Sequence, residues 1–240
     1  MKINVFTTPL EIQDYDLRGT NAAVIDVLRA TSSMLYALYN GCKEIIPVES
    51  VERALSLRSA LFDPDLLLCG EKNGLKVEGF DLGNSPFEYT ADIISEKSLI
   101  FSSTNGTKAM VKARSGKSIY ICGFVNISET SKKLSKENDP LNIICAGHNN
   151  RFSLEDTICA GMLVSKISEC FKEEINLTDS AKSALILYKN HSKDLKTMIT
   201  DSDHGKELDE LGMERDLDFC VDVDNIPVTA VFSEGKIIKM

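Results

Sequence analysis

The sequence predicts a three-layer α/β/α fold with a mostly parallel, mixed sheet, on three observations. Six short apolar runs recur along the chain, segments of helical pattern separate them, and the runs are continuous rather than alternating. Continuous runs of this length mark strands buried on both faces. Strands that alternate with helices mark parallel crossovers with helices on both sides of the sheet.

In chain order the runs are Ala22 to Asp26, Glu44 to Val48, Leu66 to Cys69, Ser98 to Phe101, Ser118 to Cys122 and Asn142 to Ala146. Between the second and third, Ser50 can cap a helix whose apolar stripe is Val51, Ala54, Leu55, Leu61 and Phe62. A second helix is expected from Leu154 to Phe171, capped by Ser153, with Asp156 completing a capping box. The stretch Glu173 to Lys206 is polar and helical in flavour, and Phe219 to Phe232 returns to β-like residues, which suit late antiparallel strands. Asp139 and Pro140 punctuate a short loop but form no linker, and no repeat is visible, so residues 1–240 are expected to form one domain.

With 43% apolar and 26% charged residues the chain reads as globular. Its net charge of −9, with no Lys/Arg-rich run, excludes the electrostatic footprint of a nucleic-acid or anionic-membrane binder. The first residues lack a signal-peptide apolar core and no window approaches the length of a membrane span, so a cytoplasmic location is expected. Seven cysteines sit mainly inside apolar runs without a CxxC pair, which fits reduced, buried thiols. Nothing in the sequence speaks for or against a homo-oligomer.

In open α/β sheets, ligands bind past the carboxyl ends of strands. Four strand-end loops are dense in polar groups: Asp26 to Thr31, Gly70 to Lys76, Ser102 to Thr107 and Gly147 to Arg151. Asp26 ends a buried strand, where a carboxylate is costly unless it binds a metal or a cation. Arg29 is placed either to hold an anion or to pair with Asp26. Glu71 can supply a second hard oxygen of the kind magnesium prefers. The loop from Ser103 to Thr107 offers hydroxyls, an amide and Gly106 ahead of a helix, an arrangement suited to oxyanions or simply to capping. Asp156 is expected to cap its helix, which leaves Glu155 as the freer carboxylate. His148 and His204 have no assigned role.

Cys145 and Arg151 have the C-x5-R spacing of cysteine-dependent phosphatases, although Gly147 falls one position early for that loop. The D-x-D-x-T pattern of aspartyl-phosphate enzymes is absent, since Val27 and Leu28 follow Asp26, and no Walker or dinucleotide fingerprint occurs.

The same loops resemble the 2-phosphosulfolactate phosphatase family of coenzyme M biosynthesis. The stretches are VIDVLRATSSM from Val24, GEKNGLKVEGFDLGNSPFEY from Gly70, FSSTNGTKAM from Phe101, RFSLEDTICAG from Arg151 and, more weakly, SDHGKELDELG from Ser202. The resemblance implies magnesium-dependent hydrolysis of 2-phosphosulfolactate to sulfolactate and phosphate. It draws attention to Asp26, Arg29, Thr31, Glu71, Lys76, Asn84, Ser85, Thr104, Asn105, Gly106, Thr107, Arg151 and Glu155. The expected scheme gives catalysis to Asp26, Glu71 and Glu155, Mg2+ to Asp26 and Glu71, and a small anionic substrate to the remaining residues together with Ser103. Whether water or an aspartate attacks phosphorus stays open. A non-catalytic binder of a phosphorylated or sulfonated metabolite is the competing class.

Overall fold

The computed structural model describes residues 1–13, 15–171 and 173–240. All six expected strands form: β2 (Asn21–Ile25), β3 (Glu44–Val48), β4 (Leu66–Lys72), β6 (Ser98–Ser102), β7 (Ser118–Cys122) and β8 (Leu141–Cys145). Two further strands flank the group, β1 (Lys2–Phe6) and the two-residue β9 (Asn176–Leu177). Only Ile3 and Val5 of β1 are buried, and so short an alternation gives little periodic signal. Glu71 lies inside β4, not in a loop beyond it, because β4 continues into a hairpin with β5 (Leu75–Lys76).

The end of the chain departs from expectation. Residues Glu214–Val221 form helix α10, so Phe219 is helical. Glu214 and Asp216 sit in its first turn, where they favour the positive end of the helix dipole, and Phe219 packs edge-on against Tyr36 and Phe87. The late antiparallel strands do exist, further on, as β10 (Ala230–Ser233) and β11 (Lys236–Lys239).

Among the described residues one sheet of eleven strands results, mostly parallel, in the order β5-β4-β6-β3-β11-β10-β7-β2-β8-β1-β9. It is built from two parallel blocks, β4-β6-β3 and β7-β2-β8-β1-β9, joined by the β10–β11 hairpin, which is antiparallel to β7 on one side and to β3 on the other. Helices α1 (Ala30–Tyr39) and α4 (Gly106–Lys112) bury Met34, Leu35, Leu38, Ala109 and Met110 against Val24 and Ile121 of one block and Ile45, Leu99 and Phe101 of the other. The opposite face of the β7-β2-β8-β1 block is covered by α5 (Ile127–Leu134), α6 (Leu154–Cys170), α7 (Asp179–His191) and α10. Helix α2 (Val51–Leu61) covers the outside of β4-β6-β3. The sheet is therefore a middle layer between helices, as expected, but a curled one.

The curl has a direct measure. Four strands separate β6 from β2, roughly 24 Å along a flat sheet at about 4.8 Å per strand. Yet Gly106, just past β6, abuts Asp26, just past β2, so closely that a Cβ on Gly106 would stand 2.5 Å from Asp26 Oδ2. Strand ends that a flat sheet would hold apart are brought together around α1 and α4.

The two expected helices form with their caps, the Ser50 and Ser153 hydroxyls accepting from Arg53 N–H and Asp156 N–H. The stripe on α2 is different: Ala54 is buried and Val51 and Leu57 are packed, whereas Leu55, Leu61 and Phe62 face solvent. Ala54 shares one small cluster with Leu66, Leu68 and Ile100 of the sheet, so one narrow line of contact suffices. The polar stretch after residue 173 becomes α7, α8 (Leu195–Thr200) and α9 (Asp203–Glu210).

Candidate active site

A pocket of about 280 Å³ opens where the curl brings the loops together. Its wall includes Asp26, Arg29, Glu71, Asn84, Thr104 and Asn105, six of the expected site residues, from both blocks of the sheet. His148, His204 and Glu207 close the other side.

Asp26 is buried at the start of α1, with Oδ1 accepting from Ala30 N–H at 3.1 Å. Burial pushes its carboxyl up to about 6; His204 and the Ala30 N–H oppose the rise, while Glu71 and Glu155 add to it. A carboxylate in this position lacks a full counter-charge. Glu71 is braced by its neighbours: Oε1 accepts from Thr104 N–H at 2.6 Å, and Oε2 from Gly74 N–H at 2.8 Å and Thr104 Oγ1 at 3.0 Å. Among the described residues no three His, Cys, Asp or Glu side chains converge to hold a metal alone. Magnesium does not need that, since it binds through one or two carboxylates, water and substrate phosphate, and two hard oxygen donors beside an under-compensated buried charge fit it.

Arg29 forms a buried ion pair, but with Asp216 of α10 and not with Asp26. Its Nη2 donates to Gly74 O at 2.7 Å, and Asp216 also accepts from Ser85 Oγ at 2.8 Å. One guanidinium thus ties α10 to the β4–β5 hairpin. Ser85 is a support for this pair. Asp216 carried no motif signal, because its partner lies 187 residues earlier.

Several expected ligand groups are occupied behind the wall. Thr31 Oγ1 donates to Asp26 O at 2.7 Å and fixes the turn into α1. Ser103 Oγ accepts from Thr107 N–H at 3.0 Å, and Thr107 Oγ1 accepts from Ser103 N–H at 3.1 Å, so each hydroxyl is tied to the other residue's backbone at the start of α4. Gly106 contributes the absence of a side chain, which lets Asp26 approach. Lys76 is exposed on β5 and Arg151 on a neighbouring cavity shared with Glu155, outside the wall of the main pocket.

The capping expectation for Asp156 is half right. Ser153 caps through the Asp156 N–H, but the Asp156 carboxylate accepts from Val27 N–H at 2.9 Å and Gly147 N–H at 3.0 Å, which pins the loop after β2 to the loop after β8. Glu155 is not free either, being buried with Oε1 3.0 Å from His204 Nδ1. Burial alone would push the Glu155 carboxyl up, but the His204 hydrogen bond and charge outweigh it and hold it below the usual range. Burial likewise works against the His204 cation, and Glu155, Asp26 and Glu207 overcome it, raising His204 above its ordinary value. The His148 and His204 rings lie 4.3 Å apart, and His148 Nε2 sits between Glu207 Oε1 at 3.1 Å and Asn149 Nδ2 at 3.0 Å.

The cysteine route does not fit this geometry. Cys145 is completely buried in β8 among core residues, and burial pushes its thiol far above the ordinary value, with Asp156 adding to the rise. Arg151 is exposed on the surface beyond it. The spacing arises from a core position followed by a turn.

An α/β enzyme with an acid-lined pocket at gathered strand ends is the class that this fold and site define. The chain belongs to the 2-phosphosulpholactate phosphatase family, whose model matches residues 6–235. It is 40% identical over 245 residues, covering both chains fully, to a protein of Caldicellulosiruptor saccharolyticus described as a probable 2-phosphosulfolactate phosphatase. Proteins with the same description match from Caldanaerobacter subterraneus (39% identity, 98% of this chain and 97% of the relative) and Clostridium beijerinckii (35%, 99% of each). Membership makes the chain a phosphoric monoester hydrolase. No helix among the described residues is long and apolar enough to cross a membrane.

The groups that sequence reasoning left without a role are His204, His148, Glu207, Asn149 and Asp216. The SDHGKELDELG stretch holds two of them, and its two pocket-facing groups, His204 and Glu207, are three residues apart on α9, one face of a helix.

Proposed function

We propose that this enzyme hydrolyses 2-phosphosulfolactate to sulfolactate and phosphate with magnesium, in the pocket lined by Asp26 and Glu71. The observation that carries the reading is the convergence of these two carboxylates, from separate blocks of the sheet, in a chain that belongs to this phosphatase family. Asp26 and Glu71 would hold the ion, which when bound offsets charge on the phosphoryl oxygens. Glu71 is held in place for this by Thr104 and Gly74 N–H donors. Asn84 Oδ1 is buried without a hydrogen-bond partner, and its amide and that of Asn105 are the neutral polar groups available to substrate oxygens. Arg29 lines the wall with its guanidinium held by Asp216 and Gly74 O, so it shapes the pocket and braces the β4–β5 hairpin beside Glu71.

Purified enzyme is expected to release phosphate from 2-phospho-3-sulfolactate, to stop in excess chelator and to resume on adding magnesium. Undiminished turnover in chelator overturns the metal assignment. No phosphate release in magnesium overturns the substrate.

A further inference from the structure

Hydrolysis of an alkyl phosphate leaves an alkoxide, a poor leaving group unless it is protonated as the P–O bond breaks. Asp26 and Glu71 cannot supply that proton while serving as anionic metal donors. His204 can. Its Nδ1 is fixed 3.0 Å from Glu155 Oε1, and Glu155 is 2% exposed, so the ring is held by a buried carboxylate in the manner that orients catalytic imidazoles. The ring lines the same pocket as Asp26 and Arg29, and no protein group among the described residues hydrogen-bonds its Nε2. The charged and titratable groups facing it from the surrounding elements are Glu155 on α6, Asp26 after β2, Glu207 on α9 and the neighbouring ring of His148. His148 is unsuited to the task, since its Nε2 is committed to Glu207 and Asn149 and its Nδ1 is buried.

We propose that His204, oriented by Glu155, is the general acid that protonates the departing hydroxy-acid oxygen. The proposal rests on the phosphatase reading above. Water attacks phosphorus and forms the new P–O bond while the bond from phosphorus to the C2 oxygen breaks. The proton on Nε2 passes to that oxygen, giving the free hydroxyl, and His204 regains a proton from the one the attacking water sheds. The sum is ester plus water giving alcohol plus phosphate, with nothing left over. Glu155 is a positioning residue, touching the imidazole and not the substrate.

Leaving-group dependence tests this. An alkyl ester needs the acid, whereas p-nitrophenyl phosphate releases a phenolate that is stable without a proton. His204→Gln is expected to lower kcat on 2-phospho-3-sulfolactate and on glycerol 2-phosphate by ~10²- to 10⁴-fold, and on p-nitrophenyl phosphate by less than about tenfold. Glu155→Gln keeps a hydrogen-bond partner for the ring and should show the same selectivity with a smaller loss. Equal losses on alkyl and aryl esters in both variants, or no loss on the alkyl esters, overturn the assignment. Should His204→Gln fail to fold, the alkyl-to-aryl ratio of Glu155→Gln decides alone. Wild-type turnover of glycerol 2-phosphate without turnover of the sulfonated ester overturns the proposed substrate, while the same comparison still decides on His204. A wild type that cleaves no phosphate ester overturns both.

Discussion

Asp26 carries a conflict between folding and function in a single side chain. Its folded value of about 6 lies above the usual 3.8, so the metal-free fold binds this proton more tightly than the unfolded chain does. Its contribution to stability is therefore fully present below about pH 4 and lost as pH rises through about 6. Asp26→Asn keeps an acceptor for the Ala30 N–H but removes the buried charge. In chelator at pH 8 the variant should be more stable than the parent, by on the order of 2–3 kcal/mol, and inactive. A denaturant melt showing equal or lower stability would refute this account of the charge. The residue was conspicuous in the sequence because an acid closing an apolar strand has few structural explanations. His204 was not, since its partner Glu155 lies 49 positions away and imidazoles in loops and helices are common.

At the scale of elements, the Arg29–Asp216 pair is a clamp. It fastens α10 to the loop that follows β2 and, through Gly74 O, to the β4–β5 hairpin, so three segments distant in sequence share one guanidinium. Lysine keeps the charge but loses the fork that serves two acceptors at once. Arg29→Lys should therefore cost about 3 kcal/mol or more in stability as well as lowering kcat/KM, because Asp216 would be left buried and poorly paired. Thermal melts within about 1 °C of the parent would mean that Arg29 acts on substrate alone. The sequence marked Arg29 as either an anion holder or a partner of Asp26, the nearest acid in the chain, and the partner the structure gives it is Asp216. Strands and capped helices depend on neighbours in sequence and were legible, as β2, β3 and α6 show. The clamp, the stripe of α2 and helix α10 depend on what packs against them, and those contacts are written nowhere locally.

At the scale of the whole molecule, the pocket exists only because the two blocks of the sheet are joined with a curl. Ile237 of β11 is fully buried, pairs with Ile45 of β3 and packs into the core that α1 and α4 share with both blocks. Ile237→Ala should destabilise the protein by about 2–4 kcal/mol, and phosphatase activity should disappear in the same denaturant range as the global unfolding transition. Activity lost well before the fold would show that the blocks separate on their own. Alternating strands and helices predicted the layers correctly, yet they imply a flat sheet, since nothing in a run such as VTAVFSEGKIIK announces where its hairpin will insert.

The placement of that hairpin also sets an order of events during biosynthesis. Every carboxylate, imidazole and amide of the pocket is synthesised before residue 212, whereas the strands that join the two blocks begin at Ala230. A growing chain presents the strands of both parallel blocks, with Asp26 on one and Glu71 on the other, before the two strands that lie between those blocks. The residues that line the pocket thus precede, in the chain, the strands that join its two halves.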